Sequence, residues 1–208
     1  MAVWGLPVSP TGATFPANSE PQLFALLLPA ALAATYNLDT SHTRTGFNVT
    51  HMMVTTVRGE FGQTTGTVEY DPKNLAATKV NATVSIMSVD TREPKRDDHL
   101  RSADFFDAAS FPNMTFVSKS VKNVGAGGLD LVGDLTIRGV TKEVVLHVDP
   151  FTPEVKDLYG NLKVGTHATG KINRQDFGVS WNKKLDGGGY LLSDEVQIEL
   201  DVEMGRKP

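Results

Sequence analysis

From Glu195 to Met204 the chain alternates without a break. Val196, Ile198, Leu200, Val202 and Met204 are apolar, and Glu195, Gln197, Glu199, Asp201 and Glu203 between them are polar. Side chains of a strand point to opposite faces with a period of two, whereas a helix would scatter these ten residues around its circumference. The segment is therefore a strand with one dry face and one wet face, and it needs a sheet with an apolar interior to belong to.

The same period recurs upstream. Val80, Ala82, Val84 and Ile86 alternate with Lys79, Asn81, Thr83 and Ser85, and Val144, Leu146 and Val148 repeat the pattern less cleanly. Strand-like runs cover 45–57, 66–70, 113–121, 129–138 and 162–172. They are separated by Asp71-Pro72, Gly125-Ala-Gly-Gly128, Asp149-Pro150 and Gly187-Gly-Gly189, each of which carries turn chemistry. Only Arg96–Ala109 breaks the rhythm and favours a helix, with Asp97 and Asp98 in its first turn, an Asp97–Arg101 pair four residues apart, and Pro112 as its stop. About eight strands with short turns and one helical insertion predict an all-β fold: an antiparallel up-and-down barrel, since closure leaves no sheet edge.

At 208 residues the chain fits one barrel domain over 34–208, preceded by a leader over 1–33. Within the leader, Leu23 to Ala34 reads LFALLLPAALAA and ends in an Ala31-Leu-Ala33 cleavage pattern, like the core and end of a secretory signal. No Lys or Arg precedes it; residues 1–22 are rich in Pro, Gly, Ser and Thr. The expectation is export, to the periplasm or the medium, with Ala34 as the first mature residue. A net charge of −4 and a pI near 5.7 argue against a nucleic-acid partner. No run of 18 uncharged apolar residues is present for a membrane-spanning helix. Cysteine is absent, which excludes disulfides, thiolate catalysis and thiolate-bound zinc.

The order of several blocks resembles the YceI-like family over nearly all of 36–203. These are Tyr36-Asn-Leu-Asp39 with Ser41-His42, Phe47 and His51; Gly59-Glu-Phe61 and Gly66; Arg96-Asp-Asp-His99-Leu-Arg101-Ser-Ala-Asp104-Phe105-Phe106-Asp107; Gly133-Asp-Leu-Thr136-Ile-Arg138-Gly139; and Asn173-Arg174-Gln-Asp176-Phe177-Gly178. The resemblance implies a lipocalin-like barrel outside the cytoplasm whose lumen holds a polyisoprenoid chain, of the quinone or prenyl-phosphate type, without chemistry on it. It implies no cofactor beyond that bound lipid, and together with base rates it suggests a two-fold homodimer. Another amphiphile, such as a fatty acid or its amide, would suit the same lumen, and an acid–base enzyme is the remaining alternative.

An eight-stranded barrel can hold one slender ligand, and ten Phe against two Trp and four Tyr give apolar walls with few polar atoms. Packing of an ordinary core is the competing role for any one of these rings. Phe47, Phe105, Phe106, Phe116, Phe177 and Trp181 are the expected chain contacts. Arg96 and Arg101 are the expected partners of an anionic head, because a guanidinium matches phosphate geometry. Arg138 and Arg174 are read instead as ties of the barrel rim, through Asp104, Asp134 or Asp176. His42 and His51 flank the first hairpin, where either could touch the head or a local partner, and His99 is read as part of a solvated cap. His147 and His167 fall in alternating strands and face outward. No metal site is expected, since the five histidines form no ligand motif. No nucleophile motif points to catalysis.

Overall fold

A computed structural model describes residues 33–206 and 208; the leader over 1–32 lies outside the described residues. Twelve strands follow in order: β1 (Ala34–Leu38), β2 (Arg44–His51), β3 (Thr55–Phe61), β4 (Thr64–Tyr70), β5 (Lys79–Ser85), β6 (Val89–Asp90), β7 (Asn113–Gly125), β8 (Gly128–Ile137), β9 (Val140–Val148), β10 (Val155–Lys156), β11 (Leu162–Asn173) and β12 (Leu192–Arg206). Among the described residues one α-helix, α1 (Pro94–Arg101), stands between β6 and β7.

Every strand pairing is antiparallel. Eight strands close a circuit, β12–β11–β9–β8–β7–β5–β4–β1 and back to β12. The last strand is the seam. Along one edge it pairs with β11 over twelve positions, from Leu162↔Arg206 to Asn173↔Glu195. Along the other it meets β1 at Met204 and Gly205, then β2 from Asp201 to Leu192. β2, β3 and β6 carry the wall beyond β1 at that end. The alternation of β12 is what this position requires: Val196, Ile198, Leu200, Val202 and Met204 all border the barrel interior.

Two expected elements come out differently. The run 45–57 is not one strand but β2 and the start of β3, joined by a tight turn at Met52-Met53. Both residues have positive φ, 52° and 59°, and Val54 N–H donates to His51 O at 3.0 Å. The His51↔Thr55 pair leaves a three-residue loop, Met52 to Val54. Its first two residues form a turn of the hand that suits the twist of a hairpin, but Asn-Gly is the usual sequence there, so two methionines gave no turn signal. The helix is shorter than 96–109. Pro94 starts it in the first turn, where its missing N–H is not needed. Ser102, in an extended conformation, ends it, and its hydroxyl donates to His99 O at 2.7 Å. Residues 102–111 then return by turns, with Phe106 N–H bonded to Leu100 O and Ala108 N–H to Arg101 O.

The expected Asp97–Arg101 pair is absent. Asp97 is buried and accepts from the backbone and hydroxyl of Thr91, while Arg101 Nη1 donates to Asp98 at 3.0 Å.

Candidate functional site: an apolar lumen

The barrel encloses a cavity of about 620 Å³, within the range of roughly 300–1,000 Å³ typical of small-molecule sites. Its wall is built by the inward alternate residues of the sheet: Val80, Ala82 and Val84 on β5, Leu129, Leu131 and Leu135 on β8, and Val144, Leu146 and Val148 on β9, facing the apolar row of β12. Thr43, Thr45, Thr64 and Thr166 also border it, and their hydroxyls are engaged. Thr43 and Thr166 donate to Glu203 O and Asp149 O, and Thr45 and Thr64 bond each other at 2.8 Å. Thr78 Oγ1 is the exception, buried without a partner among the described residues.

Three of the lining side chains lie over glycines on neighbouring strands. Phe47 lies over its cross-strand partner Gly59, where a β-carbon would overlap the ring. Phe116 lies over Gly133, and Leu146 over its partner Gly170, where a β-carbon would stand 2.7 Å from Leu146 Cδ2. The rings of Phe47 and Phe116 therefore have room to lie along the wall.

One end is shut. Tyr36, Tyr70, Val68, Val164 and Met204 form a buried cluster there, and Phe151 packs on Tyr70 with ring centroids 4.6 Å apart. Tyr36 donates to Glu154 at 2.6 Å, and burial is the main reason its hydroxyl is pushed above the ordinary tyrosine value. Outside this floor, Lys163 Nζ lies 2.5 Å from Asp39 and 2.9 Å from Glu203. His42 stands beside the same carboxylates, so it sits at the closed end, away from the mouth. Asp39, His42 and Glu203 are close enough together to share an ion, but the ammonium already neutralises the two carboxylates.

At the opposite end, α1 and the segments 102–111 and 174–182 cover the lumen. Phe105 packs on Trp181 at 5.2 Å, His99 stands edge-on to both at 4.9 Å, and Phe106 meets Phe61 at 5.7 Å. His99 Nε2 is 2.9 Å from Asp104. Two arginines tie these segments down, but not through the carboxylates the sequence suggested. Arg138 donates to Phe105 O and Gly178 O. Arg174, 5% exposed, donates to Ser193 O, Val179 O, Trp181 O and Asp194. Burial pushes its pKa down and Asp194 opposes that shift. Asp104 is held by His99, and Asp134 by Lys119.

Of the eight residues singled out from sequence, Phe47, Phe105, Phe106, Phe116, Phe177, Trp181 and Arg96 border the cavity. Arg101 is not brought to it, because its guanidinium is turned to Asp98 and to Val89 O. Arg96 donates through Nε and Nη2 to the hydroxyl and carbonyl of Thr91, each at 2.7 Å. Sequence reasoning did not single out the aromatic floor of Tyr36, Tyr70 and Phe151; of the two histidines it offered for head contact, His51 borders the cavity and His42 does not. His147 and His167 do face outward, bonded to Asp130 and Asp201.

The fold and cavity define a closed antiparallel barrel with a single apolar lumen, shut at one end and covered by a helix and loops at the other. The YceI-like domain matches residues 36–204, and the chain belongs to that family. Protein YceI of Escherichia coli is 41% identical over 176 residues, which cover 84% of this chain and 88% of the relative. Among solved structures, Burkholderia cenocepacia BcnA superimposes with a TM-score of 0.68 at 23% identity, covering 80% of this chain and 98% of its own. A domain from Saccharophagus degradans described as polyisoprenoid-binding superimposes with a TM-score of 0.58 at 16% identity, covering 86% and 100%; both likenesses are of fold. Among the described residues no helix is long and apolar enough to cross a membrane.

Proposed function

We propose that the protein is a carrier that holds one long isoprenoid-type lipid chain in its lumen and performs no reaction on it. The observation that carries this reading is the cavity of about 620 Å³, walled by aliphatic and aromatic side chains, three of which, Phe47, Phe116 and Leu146, lie over Gly59, Gly133 and Gly170. A core designed only for packing would close such a space, because interiors are packed as densely as organic crystals. Each methylene removed from water contributes about 0.8 kcal/mol. A chain of tens of carbons therefore outweighs an association cost of about 4–15 kcal/mol. The likeness to a polyisoprenoid-binding domain supports the chemical class. Arg96, on the covered end, supplies the guanidinium for a polar or anionic head.

The leader supports delivery outside the cytoplasm. Cleavage after Ala33 would leave Ala34, the first residue of β1, paired with Tyr70. N-terminal sequencing of protein from its native host is expected to begin at Ala34; an intact Met1 would overturn this part.

The test of the carrier reading is organic extraction of freshly purified protein followed by mass spectrometry. A copurifying species with isoprene-unit mass spacing is expected, and Phe106→Asp should abolish its retention while Phe106→Leu keeps it. A fatty acid or amide mass would replace the ligand class, and lipid-free protein after gentle purification would overturn the reading.

A further inference from the structure

The turn between β2 and β3 places three apolar side chains in solvent. Met52 is 41% exposed, Met53 69% and Val54 83%. Such a tip normally carries Asn-Gly, whose backbones take positive φ readily, whereas Met52 and Met53 hold that conformation against the preference of their side chains. Strain retained at an exposed site points to a use for the side chains.

A second loop completes the surface. Lys184 and Tyr190 form a bridge around Gly187-Gly188-Gly189. Leu191 O accepts from Met52 N–H at 2.8 Å, and Met53 Cε lies against Gly189, where a β-carbon would be only 2.7 Å away. Tyr190, 52% exposed, adds a half-apolar ring. Lys183 and Lys184 are exposed and make no salt bridge among the described residues, and Asp186 is the one carboxylate in the loop. The residues that border this ridge, His51, Thr55 and Leu191, also border the lumen. The ridge is thus continuous with the rim of the cavity at the end away from the floor.

We infer that the Met52–Val54 tip and the Lys183–Tyr190 loop form a membrane-contact ridge, which inserts its apolar side chains shallowly between the headgroups of an anionic bilayer and seats the rim of the lumen on the lipid surface. Methionine is suited to that role, being flexible and apolar. Apolar burial combined with attraction of lysines to anionic lipid is the physical basis of interfacial binding. Contact at the rim would let a chain pass between bilayer and lumen without crossing water; this consequence rests on the carrier reading, but the contact itself does not.

The full chain should float with vesicles of equimolar phosphatidylglycerol and phosphatidylcholine, more weakly with phosphatidylcholine alone, and more weakly at high salt. Replacing the tip by its preferred turn sequence, Met52→Asn with Met53→Gly, should lower flotation about tenfold while leaving or raising the melting temperature. Lys183→Glu with Lys184→Glu should remove the preference for the anionic vesicles. Flotation unchanged in both variants, or no flotation of the parent, would overturn the ridge. The lipid extracted from the Asn-Gly variant should equal that of the parent, and Phe106→Asp, emptied of lipid, should still float. Failure of the carrier reading therefore shows in the extract and failure of the ridge in the flotation.

Discussion

The ring of Phe116 lies over Gly133 of the adjoining strand, and a β-carbon on Gly133 would come within 2.5 Å of Phe116 Cζ and 2.7 Å of Val117 O. Gly133→Ala must therefore turn the ring toward the lumen and spread the strand pair. The expected cost is about 1–3 kcal/mol, the usual range for overpacking, together with reduced lipid retention. Adding Phe116→Leu should recover part of both losses, since the shorter side chain leaves the carbonyl contact as the remaining obstacle. Thermal melts and lipid extracts of the three variants measure this, and additive effects would show that the ring does not depend on the glycine.

Ile198 faces the lumen between Phe47 on β2 and Gly170 on β11, and Glu199 faces out beside Gly46 and Thr169. Ile198→Asp puts a carboxylate among apolar walls and should cost about 2 kcal/mol or more. Glu199→Lys, on the wet face, should change stability by under about 0.5 kcal/mol. Denaturant melts of the pair check the assignment, and equal shifts would refute it.

β12 was legible because its two faces meet different media, lumen and solvent, so that every second residue carries the signal. The hairpin at Met52-Met53 was not, because its turn uses residues that normally avoid positive φ. The helix was read too long because Ser102 to Ala109 keeps a helical composition, while the chain turns there on the hydrogen bonds of Phe106 and Ala108 to the preceding turn. The aromatic residues Phe47, Phe105, Phe106, Phe116, Phe177 and Trp181 that border the cavity were legible through composition and family likeness. Arg101 was misplaced because the sequence does not reveal which arginine faces the lumen and which is turned to a backbone carbonyl. The roles of Arg138 and Arg174 were legible, but their partners were not, since most are main-chain oxygens brought close only by closure of the barrel.

Arg174 binds the segment 179–194 from below, through three carbonyls and Asp194. Arg174→Met keeps much of the volume but leaves those carbonyls without their donor. With about 1–3 kcal/mol for each buried group left unsatisfied, the loss should be about 3 kcal/mol or more. Arg174→Lys should rescue little, because one ammonium cannot reproduce a planar fork. Trp181, whose carbonyl is one of the acceptors, reports the change: its fluorescence should shift toward that of a solvent-exposed indole. An unchanged spectrum together with an unchanged melting temperature would show that the tie does not hold the segment.

At the closed end, the hydrogen bond from the Lys163 ammonium, reinforced by Ser41, holds the Asp39 carboxyl well below the usual carboxylate range, and Asp39 and Glu203 push the lysine up to about 12. The signs are opposite for the two groups. Asp39 has a depressed value in the folded state, so its contribution is complete above an unfolded pKa of about 3.9 and is lost as pH falls below that toward the folded value. Lys163 has a raised value, so its contribution is complete below an unfolded pKa of about 10.4 and fades as pH rises through about 12. Neither group makes stability depend on pH between about 5 and 9. Asp39→Asn should therefore lower the melting temperature at neutral pH and flatten its decline below about pH 4, where the parent loses this contribution. Calorimetric scans of both proteins from pH 2 to 7 decide the matter. Parallel curves over the acid range would show that Lys163 and Asp39 are not coupled in solution.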